Sequence, residues 1–202
     1  MSESIWIIIL AAGQSKRMGS PKQLLPIQGE SLIRFVAQKA VSVQAEGVHV
    51  GIVGTDEPRM KEQCAELPVA WIENRQADQG MSTSIRAGIE HAMACGAGAV
   101  MVILGDQPDL DPAVMTRMAA AYRRTRSPIL QARYRGQPGH PVMFDRALFA
   151  DLLQLEGDSG AKLLIRQNSA AVQFIDVSSA MPPDLDTPDD YRNYLRDRGA
   201  AE

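Results

Sequence analysis

The feature that most narrows the possible folds is an alternation. Short runs of β-branched and aliphatic residues, at Ile5–Leu10, Val48–Val53, Val69–Ile72, Ala99–Leu104 and Val172–Val177, are separated by stretches with helical spacing at Ser31–Ala45, Pro58–Glu66, Ser82–Cys95, Pro112–Arg126 and Ser159–Asn168. The runs are apolar almost throughout, so both faces of each strand must be covered, as in a parallel sheet between two helical layers. Strand, helix and strand in turn, with right-handed crossovers, predict a three-layer α/β/α fold. One region departs from the pattern. Ile129–Tyr134 and Pro141–Phe144 flank a Gly/Pro-rich turn and read as a small antiparallel addition to the mostly parallel sheet. Asp111-Pro112 and Thr187-Pro188 each place a capping residue before a proline, marking two helix starts, the second helix running to about Arg198.

With 202 residues the chain suits one domain spanning 1–202. A net charge of −3 excludes a general nucleic-acid binder, which needs a basic face. No run approaches the roughly 20 apolar residues that cross a bilayer, and no signal peptide is visible, so no membrane association and a cytoplasmic location are expected. Cys64 and Cys95 form no CxxC pair and read as two ordinary buried thiols.

Charge is concentrated at the start. Residues 1–40 carry five Lys or Arg and two acids. The segment Leu10-Ala11-Ala12-Gly13-Gln14-Ser15-Lys16-Arg17-Met18-Gly19-Ser20-Pro21-Lys22 follows the first strand, where open α/β sheets bind ligands. Small residues allow close backbone approach, and turn N–H groups with Lys16, Arg17 and Lys22 suit phosphate oxygens. Neither a dinucleotide fingerprint nor a P-loop is present. At the end of another buried strand, Asp106 in Leu104-Gly105-Asp106-Gln107-Pro108 stands where a hard cation such as Mg²⁺ would accompany a polyphosphate.

The pattern L-A-A-G-x-S-x-R-M-G-x-x-K resembles the signature of the molybdenum cofactor nucleotidyltransferase family, most closely its cytidylyl branch. The resemblance spans nearly the whole chain and implies a Rossmann-like nucleotidyltransferase fold. It implies that Leu10, Ala11, Ala12 and Gly13 line the nucleotide and that Arg17 and Lys22 hold phosphates, Lys22, Arg17 and Asp106 forming the catalytic set. Asn74, Gly80 and Ser84 would meet base and ribose, although Ser82 beside them could equally be a helix cap. The segment Asp184-Leu185-Asp186-Thr187-Pro188 resembles the family's C-terminal motif, which makes Asp186 the second Mg²⁺ ligand beside Asp106. Gln107, Gln137, His140, Pro141 and Gly160 fall in motifs that resemble the acceptor side. For His140 the alternatives are a grip on the acceptor and a hydrogen bond within its turn. Gly157-Asp158-Ser159-Gly160 is either an anion-binding turn or a helix cap.

The implied reaction is attack by the terminal phosphate of the molybdopterin cofactor on the α-phosphorus of CTP, releasing pyrophosphate. That phosphate is already ionised at neutral pH, so no general base is required. Alignment and charge neutralisation suffice. A molybdoenzyme or a maturation factor is the implied protein partner. Guanylyl transfer, transfer to another phosphorylated acceptor, and non-catalytic cofactor carriage are the alternatives. Guanylyl relatives typically carry Leu-Ala-Gly-Gly, and Ala12 points away from guanine.

Overall fold

The computed structural model describes residues 4–13, 21–158 and 160–199. Lys16, Arg17 and Ser159 lie outside the described residues. The strands in chain order are β1 (Ile5–Leu10), β2 (Pro26–Ile27), β3 (Glu30–Ser31), β4 (Val48–Gly54), β5 (Val69–Glu73), β6 (Ala99–Leu104), β7 (Ile129–Tyr134), β8 (Gln137–Asp145) and β9 (Val172–Val177). Seven of them form one sheet in the order β5-β4-β1-β6-β8-β7-β9, and β2 and β3 make a separate antiparallel pair. Within the described sheet β8 runs against both neighbours, and the other adjacent pairs are parallel.

The antiparallel addition is larger and more central than the sequence suggests. Arg135 and Gly136 both take positive φ, 48° and 90°, which closes a two-residue hairpin. Strand β8 therefore begins at Gln137, not at Pro141. It is also an internal strand: it pairs with β6 from Ala99↔Asp145 to Val102↔Val142, while β9 extends the sheet beyond β7.

The helices are α1 (Leu32–Val41), α2 (Pro58–Gln63), α3 (Met81–Ala94), α4 (Pro112–Thr125), α5 (Phe149–Leu152), α6 (Lys162–Gln167) and α7 (Pro188–Asp197). Helix α1 stops short of Ala45, at Ser42, whose N–H still bonds to Gln38 O while its hydroxyl takes up Lys39 O at the helix end. Alternation along β1 divides the core. Ile5, Ile7 and Ile9 pack with residues of α1, α4 and α7, while Trp6 and Ile8 pack with α3, α5 and α6. All five are buried, as uninterrupted apolar strands require. Cys64 is buried and its thiol is pushed up to about 11 by desolvation. Cys95, expected to be buried, is exposed at the C-cap of α3, beyond the helix's last buried residue, Ala92. No described helix is long and apolar enough to cross a membrane.

A polar contact made by a buried side chain ties α4 to the sheet. Tyr122 of α4 is fully buried, its hydroxyl 2.6 Å from Asp145 Oδ2 and 2.8 Å from Gly98 O. Burial and the bond to Asp145 push the phenol up to about 12. An unfolded tyrosine titrates near 10, so the unfolded chain loses this proton first. The contribution is complete below about pH 10 and is lost as pH rises to about 12. Tyr122→Phe is expected to cost about 1–3 kcal/mol in urea unfolding at neutral pH. The variant should also lose less stability than the parent between pH 10 and 12, with Tyr134 and Tyr194, also raised to about 12, keeping their share of the slope.

Candidate active site

Strands β4, β1 and β6 are parallel neighbours, so the chain leaves all three at the same edge of the sheet. There the segment after β1 is pinned from both sides. Ala11 N–H donates to Val53 O at 2.8 Å, and Gly105 N–H donates to Leu10 O at 2.9 Å. A side chain at Gly105 would put Cβ 3.0 Å from Leu10 O and 3.1 Å from Ala11 Cβ, so glycine is what lets the two loops touch. A cleft of about 400 Å³ opens at this edge, lined by Leu10, Ala12 and Gly13 and by the cluster of Lys22, Asp106 and Asp186. Ala11, expected beside them, is buried beneath.

Lys22 ties together residues far apart in sequence. Its Nζ lies 2.6 Å from Asp106 Oδ2 and 2.7 Å from Asp186 Oδ1. Burial alone would lower the ammonium's pKa; the two carboxylates outweigh it and hold the group above its ordinary value. Burial raises Asp106, Lys22 opposes the rise, and Asp184 and Asp186 add to it. Asp106 is thus a carboxylate short of positive charge. Its side chain is 19% exposed against 41% for Asp186, and its Oδ1 is buried with no hydrogen-bond partner among the described residues.

The chain fixes these acids by local rules. Asp106 stands two residues past the end of β6, after Gly105. Asp186 precedes α7, where Thr187 and Asp190 form a reciprocal cap. Asp190 Oδ2 accepts the N–H of Thr187 at 2.8 Å and that of Asp186 at 3.2 Å. Between the two acids, fully buried Leu185 donates its N–H to Asp106 O at 3.0 Å. Gln107 Nε2 donates to Asp184 Oδ1 at 2.7 Å. Among the described residues no group of three His, Cys, Asp or Glu side chains converges as a closed metal cage. Two carboxylates with an orphaned buried oxygen between them nonetheless fit a hard divalent cation that takes its other ligands from water and substrate phosphates.

The start of α3 supplies another part of the lining. Asn74 faces inward: its Nδ2 donates to Thr83 Oγ1 and Ser84 Oγ, both at 2.9 Å, and its Oδ1 accepts Gln76 N–H at 2.9 Å. Ser84 and Gly80 line the cleft, but Asn74 lies behind them and holds the turn. Ser82 is buried as the second residue of α3 and is not its cap. Gly80 occupies the cap position, and Asp158 Oδ1 accepts the N–H of Met81 at 3.2 Å. Gly80 has φ 107°, and a Cβ there would lie 2.6 Å from Asp158 Oδ1 and 2.7 Å from Gly157 backbone. Gly80→Ala is therefore expected to lower stability by about 1–3 kcal/mol, seen as an earlier thermal melt.

The acceptor-side residues are set back. Gln107, Gln137, His140, Pro141 and Gly160 are not among the described residues lining the cleft. Gln137 is exposed at the β7–β8 hairpin, and Pro141 is buried in β8. His140 Nδ1 is 3.4 Å from Val102 O; burial lowers its pKa, which Asp184 and Asp106 partly oppose. Gly160 packs against Met81 Sδ. Four lining residues, Gln23, Ala77, Asp78 and Met81, are not marked by the sequence, because none belongs to a pattern with its own chemistry.

Sheet order and the position of the cleft make this an α/β protein of the nucleotidyltransferase type. Residues 7–172 match the MobA-like NTP transferase domain, and the chain belongs to that family. It is 27% identical over 194 residues to the purine catabolism protein PucB of Bacillus subtilis strain 168, covering 91% of this chain and 92% of PucB. It is 30% identical over 192 residues to nicotine blue oxidoreductase of Paenarthrobacter nicotinovorans, covering 89% and 91%. The crystal structure of Rv0371c from Mycobacterium tuberculosis H37Rv superposes with a TM-score of 0.84 at 27% identity, covering 97% of this chain and all of that one. Rv0371c is also known as a manganese complex, which superposes at 0.78 with 28% identity, covering 96% and 98%.

Proposed function

We propose that this protein is a molybdenum cofactor cytidylyltransferase, converting CTP and the phosphorylated molybdopterin cofactor to the cytidylyl cofactor and pyrophosphate. The observation that carries the reading is the convergence of Lys22, Asp106 and Asp186 in a cleft lined also by Leu10, Ala12 and Gly13. A lysine held between two acids is poised to exchange those contacts for phosphate oxygens, and the acids are then left to a cation. Asp106 and Asp186 would hold Mg²⁺, which when bound supplies charge neutralisation on the phosphates.

The chain's own residues do the rest. The small side chains of Ala11, Ala12 and Gly13 let the backbone approach the nucleotide. Ser84 borders the base and ribose and Gly80 stands between nucleotide and acceptor, with Asn74 fixing the turn behind them. Lys22, with Arg17, neutralises charge that builds on the departing pyrophosphate. The acceptor phosphate attacks the α-phosphorus, its oxygen–phosphorus bond forms as the bond to pyrophosphate breaks, and no proton need be removed first. Gln107, Gln137, His140, Pro141 and Gly160 form the acceptor side, Gln107 acting through Asp184. The name of the oxidoreductase relative does not redirect this reading, because a lysine and two carboxylates at a strand edge suit polyphosphate chemistry.

The test is pyrophosphate release by the purified protein with the pterin acceptor and each of CTP, GTP, ATP and UTP, with and without Mg²⁺. Release with CTP and Mg²⁺, and little with the others, is expected. Preference for GTP would replace cytidylyl by guanylyl transfer. No release with any nucleotide would leave a cofactor carrier, delivering to a molybdoenzyme or maturation factor.

A further inference from the structure

Besides Asp106 and Asp186, two further acids, Asp78 and Asp158, are among the described residues that line the cleft. Lys22 is the sole basic residue among the described lining residues. At the α3 wall the lining includes Asp158, whose Oδ1 is held by Met81 N–H at 3.2 Å. Ser82 N–H donates to Gly157 O at 3.1 Å, so the 157–158 backbone is fixed as well. Asp158 is exposed, and its carboxylate has no second partner among the described residues. Gly80 leaves open the space beside Oδ1 that any Cβ would fill. An anion-binding turn is the wrong reading of this loop, because a carboxylate faces the cleft and a phosphate there would be repelled.

We infer that Asp158 is a specificity residue that reads a 2-amino-4-oxopyrimidine edge through its paired N–H donors. Such an edge offers a ring N–H and an exocyclic amine in parallel, which matches the two oxygens of a carboxylate. Cytosine offers one amine beside a ring acceptor, which a carboxylate repels. The edge occurs in pterins and in guanine. The inference rests on the proposed reaction for its source: with CTP as donor, the edge belongs to the pterin acceptor. Asp158 then orients the pterin ring while Lys22 gathers the phosphates, and discrimination comes from repulsion of the wrong edge as well as attraction of the right one.

The test is direct binding and needs no turnover. Quenching of ligand fluorescence would be titrated with 6-hydroxymethylpterin and with the corresponding lumazine, which has a carbonyl in place of the 2-amino group. GTP and CTP would be run as competitors. Wild type is expected to prefer the pterin by about tenfold, the factor that one good paired contact supports. Asp158→Asn keeps an oxygen to cap Met81 N–H and should fold normally. Loss of the pterin preference in that variant supports the inference. Loss of GTP binding with pterin unaffected supports the same chemistry with guanine as its source. Equal pterin and lumazine binding by wild type, or an unchanged preference for pterin and GTP in both Asp158→Asn and Asp158→Ala, overturns it. A wild type that shows the preference but releases no pyrophosphate sinks the transfer reading alone.

Discussion

Asp106→Ala is expected to lower kcat/KM for nucleotidyl transfer by about 10³-fold or more, with the fold intact. Charge at a fixed place is the reason. Asp106 Oδ1 is buried and without a hydrogen-bond partner among the described residues, and Oδ2 contacts Lys22 at 2.6 Å. The carboxylate endures an environment that raises its pKa, a cost that serves stability poorly and polyphosphate chemistry well. Removing it leaves Lys22 still paired with Asp186 at 2.7 Å, so the loss in stability should stay within about 1 kcal/mol. Steady-state pyrophosphate release and a thermal melt on the same preparation separate the two effects. Near-normal turnover in a well-folded variant would end the assignment of Asp106.

Lys22→Met should fail in both respects. Loss of a cation that stabilises the leaving group is expected to cost about 10²–10³-fold in kcat/KM. It also removes the charge that lets Asp106 and Asp186 lie together. Leaving a buried carboxylate without its partner costs about 3–5 kcal/mol, reduced here because Asp186 is partly exposed to water. The sign with pH follows from linkage. In the variant Asp106 is pushed further toward its neutral form, so the native state holds a proton that the unfolded chain has given up. Its stability should therefore rise relative to wild type as pH falls from 7 toward 5. In wild type the raised Lys22 contributes in full below its ordinary 10.5 and is lost only at higher pH. Addition of Mg²⁺ should restore part of the variant's melting temperature, since a cation takes over the missing charge. A variant as stable as the parent at pH 7 would mean that Lys22 is not what neutralises these acids.

The comparison of sequence and structure separates cleanly by range. The strands were readable because a strand covered on both faces has to be apolar at every position, a local property. Ile5–Leu10 and Ala99–Leu104 agree to the residue for that reason. The capped starts of α4 and α7 were readable because Asp111 and Thr187 bond to backbone only two or three residues on. The β7–β8 hairpin was misjudged by four residues, because its turn rests on a positive φ at Arg135, a residue with no preference for that conformation.

Local chemistry alone marked Lys22 and Asp106 as ligand-facing residues, since each follows a buried strand that must end at the sheet's edge. What decided that they touch, across 84 positions, is that β1 and β6 lie side by side in register, and no pattern in the chain encodes that adjacency. The same holds for Asp158: a short loop with an acid reads alike as a cap or a binding turn. It becomes one wall of a cleft only because α3 docks its first turn against it. Propensities, caps and apolar runs act over a few residues and are written in the sequence, whereas burial of a charged cluster is a balance of desolvation against partners that exist only once distant segments have packed.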